Sequence, residues 1–541
     1  MSSSAVEPDL DKTVVRKSVS RSSNSSPPPE DDIDSVCQDE LLGSQSKKWL
    51  ADLLSAVSVD LAADPDTVGR DGFFVDHHFP LGELEMQSGV KWKRPRELCA
   101  SPQFIVNGAT RLDICQGKLN DCWLLAAIAS LSVNDKLFQK VVPPGQDFQQ
   151  HYTGRFSFRF WQYGEWVEVR VDDLLPTKDN KLIYLSSPER QEFWSSLLEK
   201  AYAKLKGGYR ALDMGFPHEA MVDMTGGVAE VLTISHLPRD LYSFIQSLLA
   251  KGALINCANC QGPLEQKNPL GIMFRHAYSV TAMEKVFTLH HKWEGPWSDS
   301  RSPEWSTVSS QEQQRLGRVN REDGEFWMSV ADFRQNFESM EVCHLTKSPS
   351  QSASSVRPWC CVMHHGNWVP NISNPQFLLE LSQVDPSSDP PVCSFVLSLM
   401  QKHQRRRGLN LSTALHLYMV GINSTRPLLC SPQYSSRREV VLRDSLPPGR
   451  YIIIPSTAET HQQGDFLLRV LTEQNKSTRS VLSFFIYCRG KEQRMSDVLT
   501  QGMAKLNWPE FQALWDKIRR WTVSHSAPHL GLGQKCVQQF S

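Results

Sequence analysis

Apolar and polar residues alternate in two neighbouring runs of this chain. Phe156, Phe158 and Phe160 are separated by Ser157 and Arg159, and Val167, Val169 and Val171 by Glu168 and Arg170. A period of two marks half-buried strands. Gly164 stands between the runs and predicts a hairpin. Leu197, Leu198, Ala201, Tyr202 and Leu205 recur at helical spacing, and Gly207-Gly208 predicts the end of that helix. Residues 124–131 are apolar except for Ser130. The run is too short to span a bilayer, which predicts a buried helix. Residues 241–249 predict another helix. After about 345, strand-like runs at 393–399, 414–420, 450–455 and 466–470 are separated by Ser- and Pro-containing loops. That rhythm predicts an all-β sandwich. Helices start at about 46 and again over 509–518.

Composition adds limits. A chain of 541 residues is too long for one core, so several domains are expected. Residues 1–46 are rich in Ser, Pro, Asp and Glu, a composition that predicts disorder. Charged residues make up 22% and the net charge is −1, which argues against a nucleic-acid partner. The thirteen cysteines are scattered, and Met1-Ser2-Ser3-Ser4 opens no apolar leader. Reduced thiols and a cytoplasmic location are expected.

The densest chemistry lies at Cys115-Gln116-Gly117-Lys118-Leu119-Asn120-Asp121-Cys122-Trp123. A polar turn here delivers Cys122 to the first turn of the predicted helix. Helix amides and the positive end of the dipole favour thiolate over thiol, the condition for a nucleophile. Gln116 can donate to a developing oxyanion. A cysteine taken alone is more often an inert buried residue. His276 is the candidate base, because imidazole can take the thiol proton and return it to a leaving amine. Cys257 and Cys260 form a CxxC without a second pair at zinc spacing. His77-His78, His290-His291 and His364-His365 read as solvated or structural. Arg405-Arg406-Arg407 reads as a solvated loop or a contact for anionic lipid. No G-x-S-x-G and no P-loop occurs.

The segment at Cys122 resembles the active-site motif of the calpains, calcium-dependent cysteine proteases. Further blocks follow in that family's order: 91–95 (Lys-Trp-Lys-Arg-Pro), 106–114, 171–176, 198–204, 224–228 and 276–281 (His-Ala-Tyr-Ser-Val-Thr). Asp323-Gly324-Glu325-Phe326-Trp327-Met328, Pro448-Gly449-Arg450-Tyr451 and Pro455-Ser456-Thr457 complete the series. The resemblance implies an α+β fold, with a papain-like two-lobed protease core followed by a C2-like antiparallel β-sandwich. It divides the chain into a tail (1–46), a core (47–344, lobes about 47–225 and 226–344), a C2-like domain (345–486) and a remnant of a penta-EF-hand region (487–541). It implies Cys122 as nucleophile, His276 as base and Gln116 in the oxyanion hole, with protein substrates. It also implies Ca²⁺ as cofactor, since calcium takes carboxylate and carbonyl oxygens. One site would use Val106, Gly108, Asp113 and Glu192. A second would use Asp299, the Arg321 carbonyl, Asp323 and Glu325, weakened because Lys292 stands where a Glu belongs. The C2-like domain implies a possible anionic membrane surface as partner.

Departures from the family carry equal weight. An Asn-Pro-Trp-Gly motif, whose Asn orients the histidine, is missing: Val286–His291 runs straight into Lys292-Trp293-Glu294-Gly295. No other residue takes that Asn role from the sequence, and a strand of the core is shortened with it. The gap predicts unpaired neighbouring backbone groups and low activity. Asn120 stands where calpains usually carry Gly; Asn tolerates positive φ, so the turn is expected to survive. The chain is also shortened between Trp368 and Asn374. At the EF-hand remnant, Leu499, Gln501 and Met503 replace oxygen ligands, so no pairing with the calpain small subunit is expected. Two functions remain. One is a calcium-dependent endopeptidase performing limited proteolysis. The other is a catalytically inactive calpain-derived binding or regulatory protein, or a splice form.

Overall fold

The computed structural model describes residues 68–79, 89–259, 274–285, 308–315, 326–346 and most of 359–473. It also describes strands at 13–18, 21–22 and 483–485 and scattered positions between 261 and 272. The predicted helices near 46 and 509 lie outside these residues. So do the basic run at 405–407, the Val286–Lys292 junction, Asp299, Asp323 and Glu325. The chain divides into two compact units, Met1–Pro358 and Trp359–Ser541.

Aromatic side chains build the first lobe of the first unit. Strands Arg155–Gln162 and Glu165–Asp172 form the expected antiparallel hairpin. Its two-residue turn has positive φ at Tyr163 (49°) and Gly164 (104°), the handedness that matches strand twist. Phe156, Phe158, Phe160, Val169 and Val171 are buried on its inner face. Helix Trp194–Lys206 packs there and ends at Gly207, whose φ of 109° is left-handed. Three lysines of this helix are buried with acidic partners: Lys200 with Asp172, Lys204 with Asp76 and Lys206 with Asp223. Buried charges persist only when so paired. Helix Cys122–Ser132 buries every residue after Cys122.

The second lobe is a six-stranded antiparallel sheet. Its spatial order is Phe326–Ser329, Thr13–Ser18, Ala277–Lys285, Leu254–Ala258, Ser339–His344, Val228–Thr233. Ile255, Tyr278, Val280, Met340 and Val342 pack against Leu241, Ile245 and Leu248 of helix Leu241–Ala250. The amino-terminal region expected to be disordered therefore supplies a strand. Thr13, Val14 and Val15 are β-branched, and the two strands they join offer paired rows of backbone donors and acceptors. The unpaired edge expected beside the His276 strand is filled.

The second unit is a sandwich of two antiparallel sheets, as predicted. One contains Cys360–Trp368, Gly464–Thr472, Cys393–Gln401 and Glu439–Leu446. The other contains Leu429–Cys430, Thr413–Met419, Gly449–Thr457, Gln376–Leu381 and Ser483–Phe485. Phe395, Leu397 and Leu399 face Leu415, Leu417, Tyr451 and Ile453, every second residue turning inward. Among the described residues no helix is long and apolar enough to cross a membrane.

Candidate active site

Cys122 is the first residue of its helix and is partly exposed. The turn before it is held from several sides. Gly117 lies against the carbonyls of Ile183 and Tyr184, so any Cβ there would collide with them. Asn120 donates its side-chain amide to Asp213 Oδ1 (2.9 Å), and its carbonyl accepts from Met214 N (3.1 Å). Asn120 is not among the residues with positive φ. The turn thus survives through hydrogen bonds, and the tolerance for positive φ anticipated at Asn120 is not used. Trp123 anchors the next position by donating Nε1–H to the Leu212 carbonyl (2.9 Å).

Gln116 is buried and donates from Nε2 to the Leu119 carbonyl (2.9 Å). An amide carries two such hydrogens, so one stays available for an oxyanion. Behind the nucleophile, Asp121 shares a hydrogen bond with the fully buried Glu199, which also accepts from Leu185 N. Burial, then the charge of Asp121, holds Glu199 well above the ordinary carboxylate range. Sequence reasoning missed this pair. Its signal was a charged residue inside the apolar face of a helix.

His276 follows Arg275, the residue whose carbonyl faces Cys122. The two lobes meet where Cys122 Sγ approaches the Arg275 carbonyl at 4.0 Å. His276 is buried, with the edge of Tyr278 against its ring at 5.1 Å between centroids. Neither ring nitrogen has a hydrogen-bond partner among the described residues. Burial pushes the imidazole down to about 4. Arg275 was also missed. It takes a left-handed φ of 51°, and its N–H donates to the Asn259 carbonyl at 2.6 Å. Arginine gives no sequence signal for that conformation.

Asp113 and Glu192 come together some way along the same lobe. Glu192 accepts from Val106 N (2.7 Å) and Ser187 Oγ (2.8 Å). Asp113 accepts from Thr110 N (2.6 Å), Thr110 Oγ1 (2.9 Å) and Trp194 Nε1 (3.4 Å). The Val106 loop turns through left-handed Asn107 and Gly108 (φ 55° and 91°). Burial raises the Glu192 carboxyl to about 7, and the charge of Asp113 adds to the rise. Two carboxylates in mutual repulsion offer oxygen donors that suit a hard divalent cation. Among the described residues no group of three or more His, Cys, Asp or Glu converges in this way. The CxxC thiol of Cys257 is buried in the sheet, and Cys260 lies outside the described residues.

The family model described as calpain family cysteine protease matches residues 71–344. That described as calpain large subunit, domain III, matches 369–471. The mouse (Mus musculus) calpain-1 catalytic subunit is 41% identical over 463 residues, 75% of this chain and 64% of its own length. The human (Homo sapiens) calpain-1 catalytic subunit is 43% identical over 446 residues, 72% of this chain and 62% of its own. Calpain-9 of Rattus norvegicus is 42% identical over 460 residues, 75% of this chain and 66% of its own. The chain thus spans less than two thirds of the length of these relatives. Among solved structures, a pre-peptidase C-terminal domain of a Bacillus anthracis collagenase aligns with 20% of this chain and 87% of its own. Its TM-score is 0.16 and its identity 8%, too distant for any inference.

Proposed function

Because the chain belongs to the calpain family of cysteine proteases, we propose that it is a calcium-dependent endopeptidase performing limited proteolysis of cytoplasmic proteins. The observation that carries this reading is Cys122 at the head of a buried helix, its sulfur 4.0 Å from the carbonyl of Arg275, the residue before His276. In the proposed mechanism the Cys122 thiol gives its proton to neutral His276, and the sulfur attacks the scissile carbonyl. The second Gln116 amide hydrogen and the helix amides receive the oxyanion. His276 then protonates the leaving amine, and a water hydrolyses the thioester.

The low basicity of His276 limits this scheme. Moving from 6.5 to about 4 disfavours imidazolium by roughly 3 kcal/mol. A group that accepts from the other ring nitrogen would offset that cost, which is the task of the Asn this sequence lacks. The unpartnered ring nitrogens therefore support the second reading, an inactive calpain-derived regulatory protein or splice form. Asp113 and Glu192, with the Val106 and Gly108 carbonyls, are the residues proposed to hold Ca²⁺. When bound, the ion would neutralise the two repelling carboxylates and stiffen the loop. Asp299, Asp323 and Glu325 remain a proposal from resemblance alone, as do an anionic membrane surface for the sandwich and the absence of a small subunit.

One experiment separates the readings. Alkylation by a peptide electrophile and casein cleavage are followed with and without Ca²⁺, in the wild type, Cys122→Ala and Asp113→Ala. Calcium-dependent cleavage abolished by Cys122→Ala supports the endopeptidase. Labelling of Cys122 without any cleavage supports the inactive protein. If Asp113→Ala leaves the calcium response unchanged, the ligand assignment fails.

A further inference from the structure

The apolar run at 124–131 carries a single polar residue, Ser130. Its side chain is buried and meets the second lobe. Ser130 Oγ lies 3.0 Å from Asn256 Oδ1 and 3.0 Å from Ser279 Oγ, and its one hydrogen goes to one of them at a time. Ser279 Oγ donates to the Ala126 carbonyl at 3.0 Å. Asn256 Nδ2 in turn reaches Met221 Sδ at 3.6 Å. Four elements therefore meet at one buried point. Helices Cys122–Ser132 and Pro217–Thr225 come from the first lobe, strands Leu254–Ala258 and Ala277–Lys285 from the second. We propose that Ser130, Asn256 and Ser279 are positioning residues. They lock the register between the helix that begins at Cys122 and the strand that follows His276, and so set the base against the nucleophile.

Spacing along the chain links this node to the site. Cys122, Ala126 and Ser130 are four residues apart, which puts them on one face of the helix. On the strand, Ser279 turns to that helix, while Tyr278 and Val280 turn to the core around helix Leu241–Ala250. The Ala126 carbonyl has two lone pairs, so it accepts from Ser279 without giving up its place in the helix. Back along the helix from Ala126 to Cys122 is about 6 Å. Back along the strand from Ser279 to His276 is about 10 Å. Both steps lead to the same side of the node, where Cys122 Sγ stands 4.0 Å from the Arg275 carbonyl. Apolar burial is non-directional and resists sliding weakly. A buried hydroxyl drawn off its partners has no water to turn to, so a slipped register is penalised. The imidazole of His276 has no hydrogen bond among the described residues to hold it. Its place relative to Cys122 therefore depends on its strand, and the strand depends on the node. The catalytic half of the proposal rests on the reading of Cys122 and His276 as nucleophile and base; the register lock does not.

The test uses the full chain with Ca²⁺ and two readouts. The first is the denaturation midpoint of Ser130→Ala, Ser279→Ala and the double variant. Partners in one node should couple, so the double variant should lose clearly less than the sum of the singles. The second compares two labels at Cys122, followed on the Cys122 peptide. Iodoacetamide needs only the thiolate. A peptide epoxide also needs the cleft and the base: sulfur bonds to an epoxide carbon, the C–O bond breaks, and the oxygen takes the proton that His276 received from Cys122. Ser279→Ala should slow the epoxide by about fivefold or more and iodoacetamide by less than about twofold. Leu248→Ala, in the core on the other face of the sheet, should lower the midpoint and leave the ratio of the two rates unchanged. Additive midpoint losses overturn the node. Coupled losses with an unchanged rate ratio in Ser279→Ala overturn the positioning role. So does a ratio that falls as far in Leu248→Ala as in Ser279→Ala. If losses couple but the wild type takes iodoacetamide and never the epoxide, the register lock stands and the endopeptidase reading falls.

Discussion

The two sides of the candidate site are built differently. The nucleophile side is local: the turn, the helix and the loop that braces it lie between Cys115 and Gly215. It is packed to the point that added Cβ atoms at Gly117 and Gly215 would strike backbone or the Trp123 ring. The base side is assembled from distant pieces. Its sheet takes one strand from residue 13 and another from residue 326, and its imidazole has no hydrogen-bond partner among the described residues. A local site tolerates loss elsewhere in the chain, whereas an assembled one depends on every contributor. On this comparison, loss of a segment after Lys285 would spare the reactivity of the cysteine and strike the orientation of the histidine.

The comparison is sharpened most by restoring the missing piece. Inserting a strand bearing Asn-Pro-Trp-Gly between His291 and Lys292 should raise calcium-dependent casein cleavage by about two orders of magnitude or more. Alkylation of Cys122 should change far less. Equal cleavage before and after insertion, still dependent on Cys122, would show that another group already orients His276.

The nucleophile side has its own weak point, in buried charge. Lys200 is fully buried and donates to the Leu174 carbonyl (2.7 Å), the Asp172 carbonyl (3.1 Å) and the Asp172 carboxylate. Lys200→Met keeps the volume and leaves the Asp172 charge uncompensated. Chemical denaturation should report a loss of about 3–5 kcal/mol. A loss below about 1 kcal/mol would mean that the pair contributes no more than a surface bridge.

The same division explains what the sequence revealed. Elements set by neighbouring residues were legible: the 155–172 hairpin from its alternation, the Gly207 stop, the helix after Cys122, and the sandwich from inward residues such as Phe395, Leu397 and Leu399. Features set by distant contacts were not. Thr13–Ser18 lies in a segment whose composition reads as disordered, and only the sheet that receives it gives it structure. The Asp121–Glu199 pair, the Asp213 brace on Asn120 and the left-handed Arg275 all arise from tertiary packing, which leaves no periodicity in the chain.

The solitary imidazole also predicts a pH effect. Burial lowers His276 from 6.5 to about 4. Between those values the unfolded chain binds a proton that the folded chain does not, so this group stabilises the fold above pH 6.5. That stability is lost as pH falls toward 4, by roughly 3 kcal/mol at the end of the window. Glu192, raised from 4.5 to about 7, acts with the opposite sign over much of the same range. The informative quantity is therefore the difference between wild type and His276→Phe, measured by denaturation from pH 7 to pH 4. The wild type should lose more stability on acidification. Parallel profiles would show that water or another group reaches the ring.

The smallest effect expected concerns the backbone beside that ring. Arg275 holds a φ of 51° and is fixed there by its hydrogen bond to Asn259. A left-handed conformation costs an L-residue with a Cβ about 1–2 kcal/mol. Glycine adopts it freely but adds about 0.4–1 kcal/mol of unfolded-chain entropy. Arg275→Gly should therefore stabilise the protein by a net ~0.5–1 kcal/mol. The Arg275 carbonyl, which faces Cys122 Sγ at 4.0 Å, keeps its place, so the rate of Cys122 alkylation should hold. A stability gain with unchanged labelling would show that the base side stores strain the nucleophile does not use. A loss of stability would mean that the arginine side chain makes contacts worth more than the strain it imposes.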